Sequence, residues 1–512
     1  MNKKRFRSII LTFIMMLSLL TFVPFKVEAA GTTLPKPSYP AGSPAALHGA
    51  LKINGKNIYD SNGNKFQMRG ISTHGLQWDG DPYGDVGGTY VTEATFKTLR
   101  DDWGANAIRL ALYVDQDGYS NSSKRSALKT KVMNGVKYAT NLGMYVVIDW
   151  HILDSDPNNH KSEAIEFFKE MATTYKNYDN VVFEICNEPS AIQWSAIKSY
   201  ATDVIREIRK ISNHIIIVGT PRYSQLTLNA WESGSNDVAD NPITGYSNIA
   251  YSLHFYCNES GHTRDLPGKL QYALNKNIPV VVSEFGLSAA NGNDGINKSQ
   301  ADKWMSVLNS DENKISYFCW SLSRKNESSA LLKSSTRSTC NWSDSELSDA
   351  GRYIKDLYSK EAKKDSVFST PGWHQSNGSW YYVLNGKLKT GWLIDNGKWY
   401  YFDGSGKMQL GWKLINGKWY YFVPGGAMAT GWVKVKDVYY YFYSDGHMAS
   451  NEWIQGYWLG GNGSWTYKAK GSWRKNAKGT WFGDTSGWYA KNMTLKIDGK
   501  EYKFDSLGYL IQ

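Results

Sequence analysis

The feature that most constrains this chain is a recurrence. Eight short apolar runs follow one another: Phe66–Ser72, Asn106–Leu112, Met144–Trp150, Val181–Cys186, His214–Gly219, Ile249–Phe255, Ile278–Ser283 and Lys314–Trp320. Between most of them lie amphipathic, helix-like segments: Thr92–Asp102, Lys129–Leu142, Glu163–Tyr175, Ser195–Ile211, Lys269–Asn275 and Gln300–Leu308. Runs rich in β-branched and aromatic residues are strand-forming, and strand then helix, eight times over, predicts an α/β fold closed as a (β/α)₈ TIM barrel. In that fold the carboxyl ends of all strands share one face, so polar residues at the ends of the runs converge on one pocket.

Two of those ends carry a carboxylate. Val181-Val-Phe-Glu-Ile-Cys-Asn-Glu-Pro189 places Asn187 and Glu188 after the fourth run, and Pro279-Val-Val-Val-Ser-Glu-Phe-Gly286 places Glu284 at the end of the seventh. A lone Glu there is an ordinary solvated loop residue, but a pair on one rim is the equipment for acid/base and nucleophilic work on a glycosidic bond. The same rim would receive Arg109 from the second run, His151 from the third, His254 and Tyr256 from the sixth and Trp320 from the eighth. Arg109 is suited to hold one carboxylate charged, Tyr256 to orient it, and Trp320 to stack on a pyranose ring. Singly, each has a duller reading: a surface ion pair, core histidines, a packing tryptophan.

Residues from about Leu51 to Tyr358 resemble the secreted bacterial endoglucanases of glycoside hydrolase family 5. The resemblance rests on Met68-Arg-Gly-Ile-Ser-Thr-His-Gly-Leu-Gln-Trp78, Leu99-Arg-Asp-Asp-Trp-Gly-Ala-Asn106, Val147-Ile-Asp-Trp-His-Ile-Leu153, Phe183-Glu-Ile-Cys-Asn-Glu-Pro189, His254-Phe-Tyr256, Val282-Ser-Glu-Phe-Gly286 and Trp320-Ser-Leu-Ser-Arg-Lys-Asn-Glu-Ser-Ser329. It implies a retaining cellulase with Glu188 as general acid/base and Glu284 as nucleophile. Asn187 would bond the sugar 2-hydroxyl, while Arg109, His151, His254 and Tyr256 tune the pair. It also assigns sugar contacts to His74, Trp78, Tyr113, Trp320, Lys325 and Glu327. Two positions depart from the pattern: Tyr223 stands where close relatives carry a tryptophan after the fifth strand, and Phe285 follows the nucleophile where many have tryptophan. Cellulose and related β-glucans are the expected substrates. Mixed-linkage glucan, xylan or mannan, and a non-catalytic glycan-binding protein, are the alternatives.

At 512 residues the chain exceeds one ordinary domain. Lys3, Lys4, Arg5 and Arg7 precede an apolar run from Ile9 to about Phe25 and a small-x-small pattern at Val27-Glu28-Ala29, so residues 1–29 read as a signal peptide. A secreted chain, wall-associated and without a membrane span after cleavage, is expected. Residues 30–50 read as an arm or linker, 51–359 as the catalytic domain and 360–372 as a linker. Cys186, Cys257, Cys319 and Cys340 have no Cys-x-x-Cys spacing, which argues for buried core residues over disulfides or zinc; no metal or cofactor is expected. The net charge of +11 is spread without a compact basic cluster beyond the first residues, indicating anionic surroundings over nucleic acid.

Residues 373–512 are a second module: 13 of the chain's 21 Trp lie there. Gly391-Trp392, Gly411-Trp412 and Gly431-Trp432 recur every 20 residues, each followed by an aromatic run, Trp399-Tyr-Tyr-Phe402, Trp419-Tyr-Tyr-Phe422 and Tyr439-Tyr-Tyr-Phe442. A turn and two short aromatic strands per repeat predict a β-hairpin solenoid. These repeats resemble the choline-binding or glucan-binding wall repeats of secreted Gram-positive proteins, which implies a choline-bearing teichoic acid or a glucan as partner. Beyond Trp453 the pattern degenerates into what reads as a cap. Most single rings in such a repeat serve as core.

Overall fold

The computed structural model describes residues 31–79, 87–153, 156–228, 236–365, 371–376, 378–384, 387–404 and 406–511. The expected signal peptide lies outside them. Among the described residues no helix is long and apolar enough to cross a membrane.

Eight parallel strands close into a barrel. They are β1 (Arg69–Thr73), β2 (Ala107–Tyr113), β3 (Tyr145–His151), β4 (Val181–Glu184), β5 (Ile216–Val218), β6 (Ile249–Tyr256), β7 (Val280–Gly286) and β8 (Tyr317–Leu322), and β8 pairs back onto β1. Every residue of these strands is buried, as expected for strands covered outside by helices and filled inside by side chains. The interior at the amino-terminal end is a plug of Tyr145, Val147, Val182, Ile217, Ala250, Val281 and Phe318. It is capped from below by Ile58 of the hairpin Lys52–Tyr59 and by Leu51, Phe66 and Met68 on either side of it.

The observed strands begin one to three residues later than the apolar runs in most cases, because a run includes the loop residues that plug the bottom. Helix Ser260–Asn275 starts well before the expected Lys269, although Gly261, Pro267 and Gly268 are poor helix formers. Burial of Leu266 and Leu270 against the barrel outweighs that local preference. Residues 30–50 were expected as an arm or linker. The described part docks: Leu34 N–H bonds the Thr174 carbonyl at 2.9 Å, Tyr39 bonds Asn180, and helix Pro44–His48 buries Ala45. The expected linker at 360–372 is helical to Asp365, as the end of helix Asp349–Asp365. Cys186, Cys257 and Cys319 are buried, Cys340 is half-buried, and all four are free thiols.

The tail is a series of antiparallel hairpins beginning at Gly372 and ending at Phe504. Several turn through two residues with positive φ, as at Asn396-Gly397 and Asn416-Gly417, the geometry whose twist matches paired strands. Each Trp at the start of a hairpin packs on the next: Trp392 lies 5.1 Å from Tyr420 and 5.8 Å from Phe422 by ring centroids.

Gly70 shows how tightly the barrel is closed. A Cβ built there would lie 2.0 Å from the Phe318 ring, while its carbonyl accepts the Tyr358 hydroxyl at 2.7 Å. Gly70→Ala is therefore expected to lower unfolding stability by about 2–3 kcal/mol, read from denaturant melts monitored on the barrel tryptophans.

Candidate active site

The site is built around Arg109, fully buried on β2. Its guanidinium has five N–H donors and as many acceptors around it. Nε donates to Glu184 Oε2 at 2.7 Å, Nη1 to Ser72 Oγ at 3.2 Å and Glu284 Oε2 at 3.3 Å, and Nη2 to Asn187 Oδ1 at 2.6 Å with Asp149 Oδ2 at 3.0 Å. Side chains from β1, β3, β4 and β7, and from the loop after β4, are thereby fixed to one cation on β2.

Glu284 faces inward because of a β-bulge. β6 and β7 pair as Ser252 with Val281 but His254 with Glu284, so β7 carries one extra residue between these pairs. Strict alternation from the inward Val281 would turn Glu284 toward the helices; the bulge brings both Ser283 and Glu284 into the barrel. The Tyr256 hydroxyl donates to Glu284 Oε1 at 2.6 Å. Burial, and after it the Glu188 carboxyl, push Glu284 up to about 7, against the opposing pull of His254, Arg109 and the Tyr256 hydrogen bond.

Strand β4 ends at Glu184, short of the expected Cys186, and Asn187 and Glu188 continue past it along the rim. Glu188 N–H bonds the Ile152 carbonyl at 3.1 Å, and the Asn187 carbonyl accepts from Ser224 Oγ at 2.6 Å. This course needs Gly219 beside it, where a Cβ would lie 2.1 Å from the Cys186 carbonyl oxygen. Glu188 Oε1 is 2.7 Å from His254 Nδ1, and His254 Nε2 is 2.9 Å from Ser283 Oγ. Burial drives His254 down to about 4, so it is a neutral hydrogen-bonding partner. His151 is likewise pushed well below the ordinary range by burial and then by Arg109; its Nδ1 meets Asp149 Oδ2 at 2.7 Å and its Nε2 lies 3.3 Å from Asn187 Nδ2. Burial also raises Asp149, to about 7, and Glu184.

The expected sugar contacts fall into three groups. His74, Trp78, Tyr113 and Trp320 make a continuous aromatic wall with His151: His74 lies 5.1 Å from Trp78 and 4.9 Å from Trp320, and Tyr113 stacks on His151 at 4.1 Å. Trp320 is only 8% exposed, and His151 stacks on one of its faces at 5.3 Å. Lys325 and Glu327, on the loop after β8, form an ion pair at 2.9 Å, and Ser329 donates to Glu327. Tyr223 stands apart in a left-handed turn, with Arg222, Tyr223 and Ser224 all at positive φ. Its N–H bonds the Pro189 carbonyl, and its ring is 41% exposed beside the Glu188 segment. Phe285 points out of the barrel, stacked on Phe255 at 5.6 Å, so it fills the helix-side core.

Sequence reasoning missed Glu184, Ser72 and Ser283. The available signal for Glu184 was a carboxylate inside an apolar run opposite Asp149, to which it is paired in register. Glu188, His254 and Glu284 also place ligand-type atoms within 4.8 Å of one another, a set able to hold a metal ion.

The comparisons decide the family. A family model described as Cellulase (glycosyl hydrolase family 5) matches residues 59–326. The chain belongs to glycosyl hydrolase family 5. It is 40% identical over 357 residues to an endoglucanase of Clostridium saccharobutylicum, covering 69% of this chain and 72% of that protein. It is 36% identical over 323 residues to endoglucanase A of Butyrivibrio fibrisolvens, covering 62% and 70%. Among solved structures, cellulase Cel5C_n superposes with a TM-score of 0.56 at 36% identity, over 63% of this chain and 95% of that one. The catalytic domain of Thermobifida fusca endoglucanase Cel5A gives 0.56 at 32%, over 62% and 100%. In the tail, a putative cell wall binding repeat matches residues 372–386 and 390–408, and a choline-binding repeat matches 409–453.

The raised Glu284 has a thermodynamic consequence. A carboxyl that titrates at an ordinary 4.5 when unfolded and at about 7 when folded stabilises the fold below the lower value, and loses that contribution as pH rises through the upper one. Glu284→Gln stays neutral throughout. It is expected to melt above the wild type at pH 8, by up to about 3 kcal/mol, with the difference shrinking toward pH 4; thermal melts across that range check it.

Proposed function

We propose that the barrel is a secreted retaining endo-β-1,4-glucanase that cleaves internal bonds of cellulose and related β-glucans, and that the tail holds it at a cell wall. The observation that carries the catalytic reading is the carboxylate pair: Glu188 and Glu284 offer oxygens within 4.8 Å of each other, in the close spacing of retaining rather than inverting enzymes. Their surroundings divide the labour. Glu284 receives the Arg109 cation and the Tyr256 hydroxyl, which favour its carboxylate; Glu188 meets the neutral His254. The mechanism needs the charge on Glu284 and the proton on Glu188 as the sugar reacts, and the Arg109 and Tyr256 contacts oppose the burial that raises Glu284.

In the first step Glu284 bonds to the anomeric carbon as the bond to the leaving oxygen breaks, and Glu188 gives that oxygen its proton. In the second, water attacks the same carbon, Glu188 takes the water's proton, and the bond to Glu284 breaks. Asn187, fixed by Arg109 and the Ile152 carbonyl, would bond the sugar 2-hydroxyl. The aromatic wall of Trp78, His74 and Tyr113 offers ring surface for pyranoses on the same rim. The endoglucanase names of the relatives support β-1,4-glucan as substrate.

Glu188→Gln and Glu284→Gln are each expected to lower turnover of carboxymethyl cellulose by about a thousandfold or more while the fold is kept. Glu188→Gln should still release an activated aryl leaving group, which needs no proton. Wild-type-like turnover in Glu284→Gln would overturn the mechanism, and faster sugar release from xylan or mannan than from cellulose or barley glucan would overturn the substrate.

The tail has three similar inter-hairpin clusters, Trp373/Trp380/Tyr400, Trp392/Trp399/Tyr420 and Trp412/Trp419/Tyr440, with the first Trp 4.8 to 6.3 Å from its partners. Trp399 and Trp419 are over two-fifths exposed, so these rings are open to a ligand. Such clusters suit a quaternary ammonium such as choline, and Asp395, which accepts from Trp373 Nε1 at 2.9 Å, adds negative charge to the first. The full chain is expected to be retained on a choline-bearing resin and released by free choline; adsorption to insoluble cellulose instead would assign the tail to glucan.

A further inference from the structure

The fourth inter-hairpin junction does not repeat the first three. In the regular repeats Met408, Met428 and Met448 donate their backbone N–H to the carbonyls of Trp380, Trp399 and Trp419 at 2.8, 2.7 and 2.8 Å. At the fourth junction that bond runs from Trp465 to the Tyr439 carbonyl at 2.9 Å, so a tryptophan stands in the methionine's place. Its ring packs against the cluster, 5.0 Å from Tyr457, 5.8 Å from Tyr439 and 6.4 Å from Trp432.

The charge beside the rings is also opposite to that at the first cluster. Lys468 Nζ lies 5.1 Å from the centre of the Trp465 ring and Lys470 Nζ lies 5.1 Å from that of Tyr457. Both lysines are exposed. Lys434 approaches Tyr439 at 6.0 Å but is paired with Asp437 at 2.8 Å. The first cluster, by contrast, has the Asp395 carboxylate on its tryptophan. At the fourth junction the protein's own ammonium groups already take the cation–π positions, and a cationic ligand would meet two like charges there.

We propose that Tyr457 and Trp465, with Lys468 and Lys470, form a binding site for an anionic sugar or polyol unit of a wall polymer. The half-buried rings give the C–H surface of such a unit an apolar border, and the two ammonium groups held beside them meet its phosphate or carboxylate oxygens as point charges. Tyr457, Trp465 and both lysines lie beyond residue 453, where the repeat matches end. The inference rests on the reading of the tail as wall-binding and gives it a second ligand class, so that cation clusters and an anion site would grip one zwitterionic or mixed polymer together.

The test is calorimetric titration of the full chain with poly(glycerol phosphate), polygalacturonate and a neutral cello-oligosaccharide. The wild type should bind at least one polyanion, more weakly as salt rises, and the tighter of the two identifies phosphate or carboxylate as the recognised group. Lys468→Gln combined with Lys470→Gln should weaken that binding about tenfold or more, while retention on choline resin and hydrolysis of carboxymethyl cellulose stay unchanged and report an intact fold. Equal polyanion binding by wild type and double variant would overturn the site. So would a wild type that is held by choline resin or isolated walls yet binds neither polyanion, and that result leaves the wall-binding reading standing. A wild type that binds none of these removes the wall-binding reading and this site with it.

Discussion

Everything at the catalytic end of the barrel depends on one buried guanidinium. A cation taken out of water is tolerated only where its donors are met and its charge is balanced, and Arg109 has both from Ser72, Asp149, Glu184, Asn187 and Glu284. The planar fork makes this a geometric device as well as an electrostatic one. It sets where Asn187 and Glu284 stand relative to each other, although they come from chain segments about a hundred residues apart. A lysine, with three donors on a flexible stem, has no means of holding five acceptors from five chain segments.

Burial raises Asp149, Glu184 and Glu284 against the pull of the one cation that all three share. It also makes the site a stability cost at alkaline pH, a cost the large apolar shell of helix and strand residues absorbs.

Much of this was legible in the sequence because it rests on pattern. Eight apolar runs gave eight strands, and the strand-end rule gathered Arg109, His151, Asn187, His254, Tyr256 and the two glutamates on one rim. The 20-residue period and its aromatic runs announced the hairpins. What remained hidden depends on local exceptions to pattern. Glu284 enters the barrel through a bulge that alternation does not predict. Glu184 looks like an interruption in a hydrophobic strand until Arg109 is seen across from it. The helix at Ser260 survives its glycines and proline through tertiary burial, and the segment from Gly31 lacks periodicity yet docks through single hydrogen bonds.

The two modules use aromatic rings in opposite ways. In the barrel, Tyr113 and Trp320 are almost wholly buried, with His151 stacked between them, so the rings proposed to meet a sugar are fixed by the same packing that holds the buried polar cluster. In the tail, the ring that joins one hairpin to the next also borders the open cluster, as Trp392 does between Trp399 and Tyr420. Cohesion and recognition therefore share one side chain, and ligand class has to be set by what surrounds the rings. A carboxylate at Asp395 and ammonium groups at Lys468 and Lys470 are such surroundings, which is how a repeat with nearly constant rings can present clusters of opposite charge along its length.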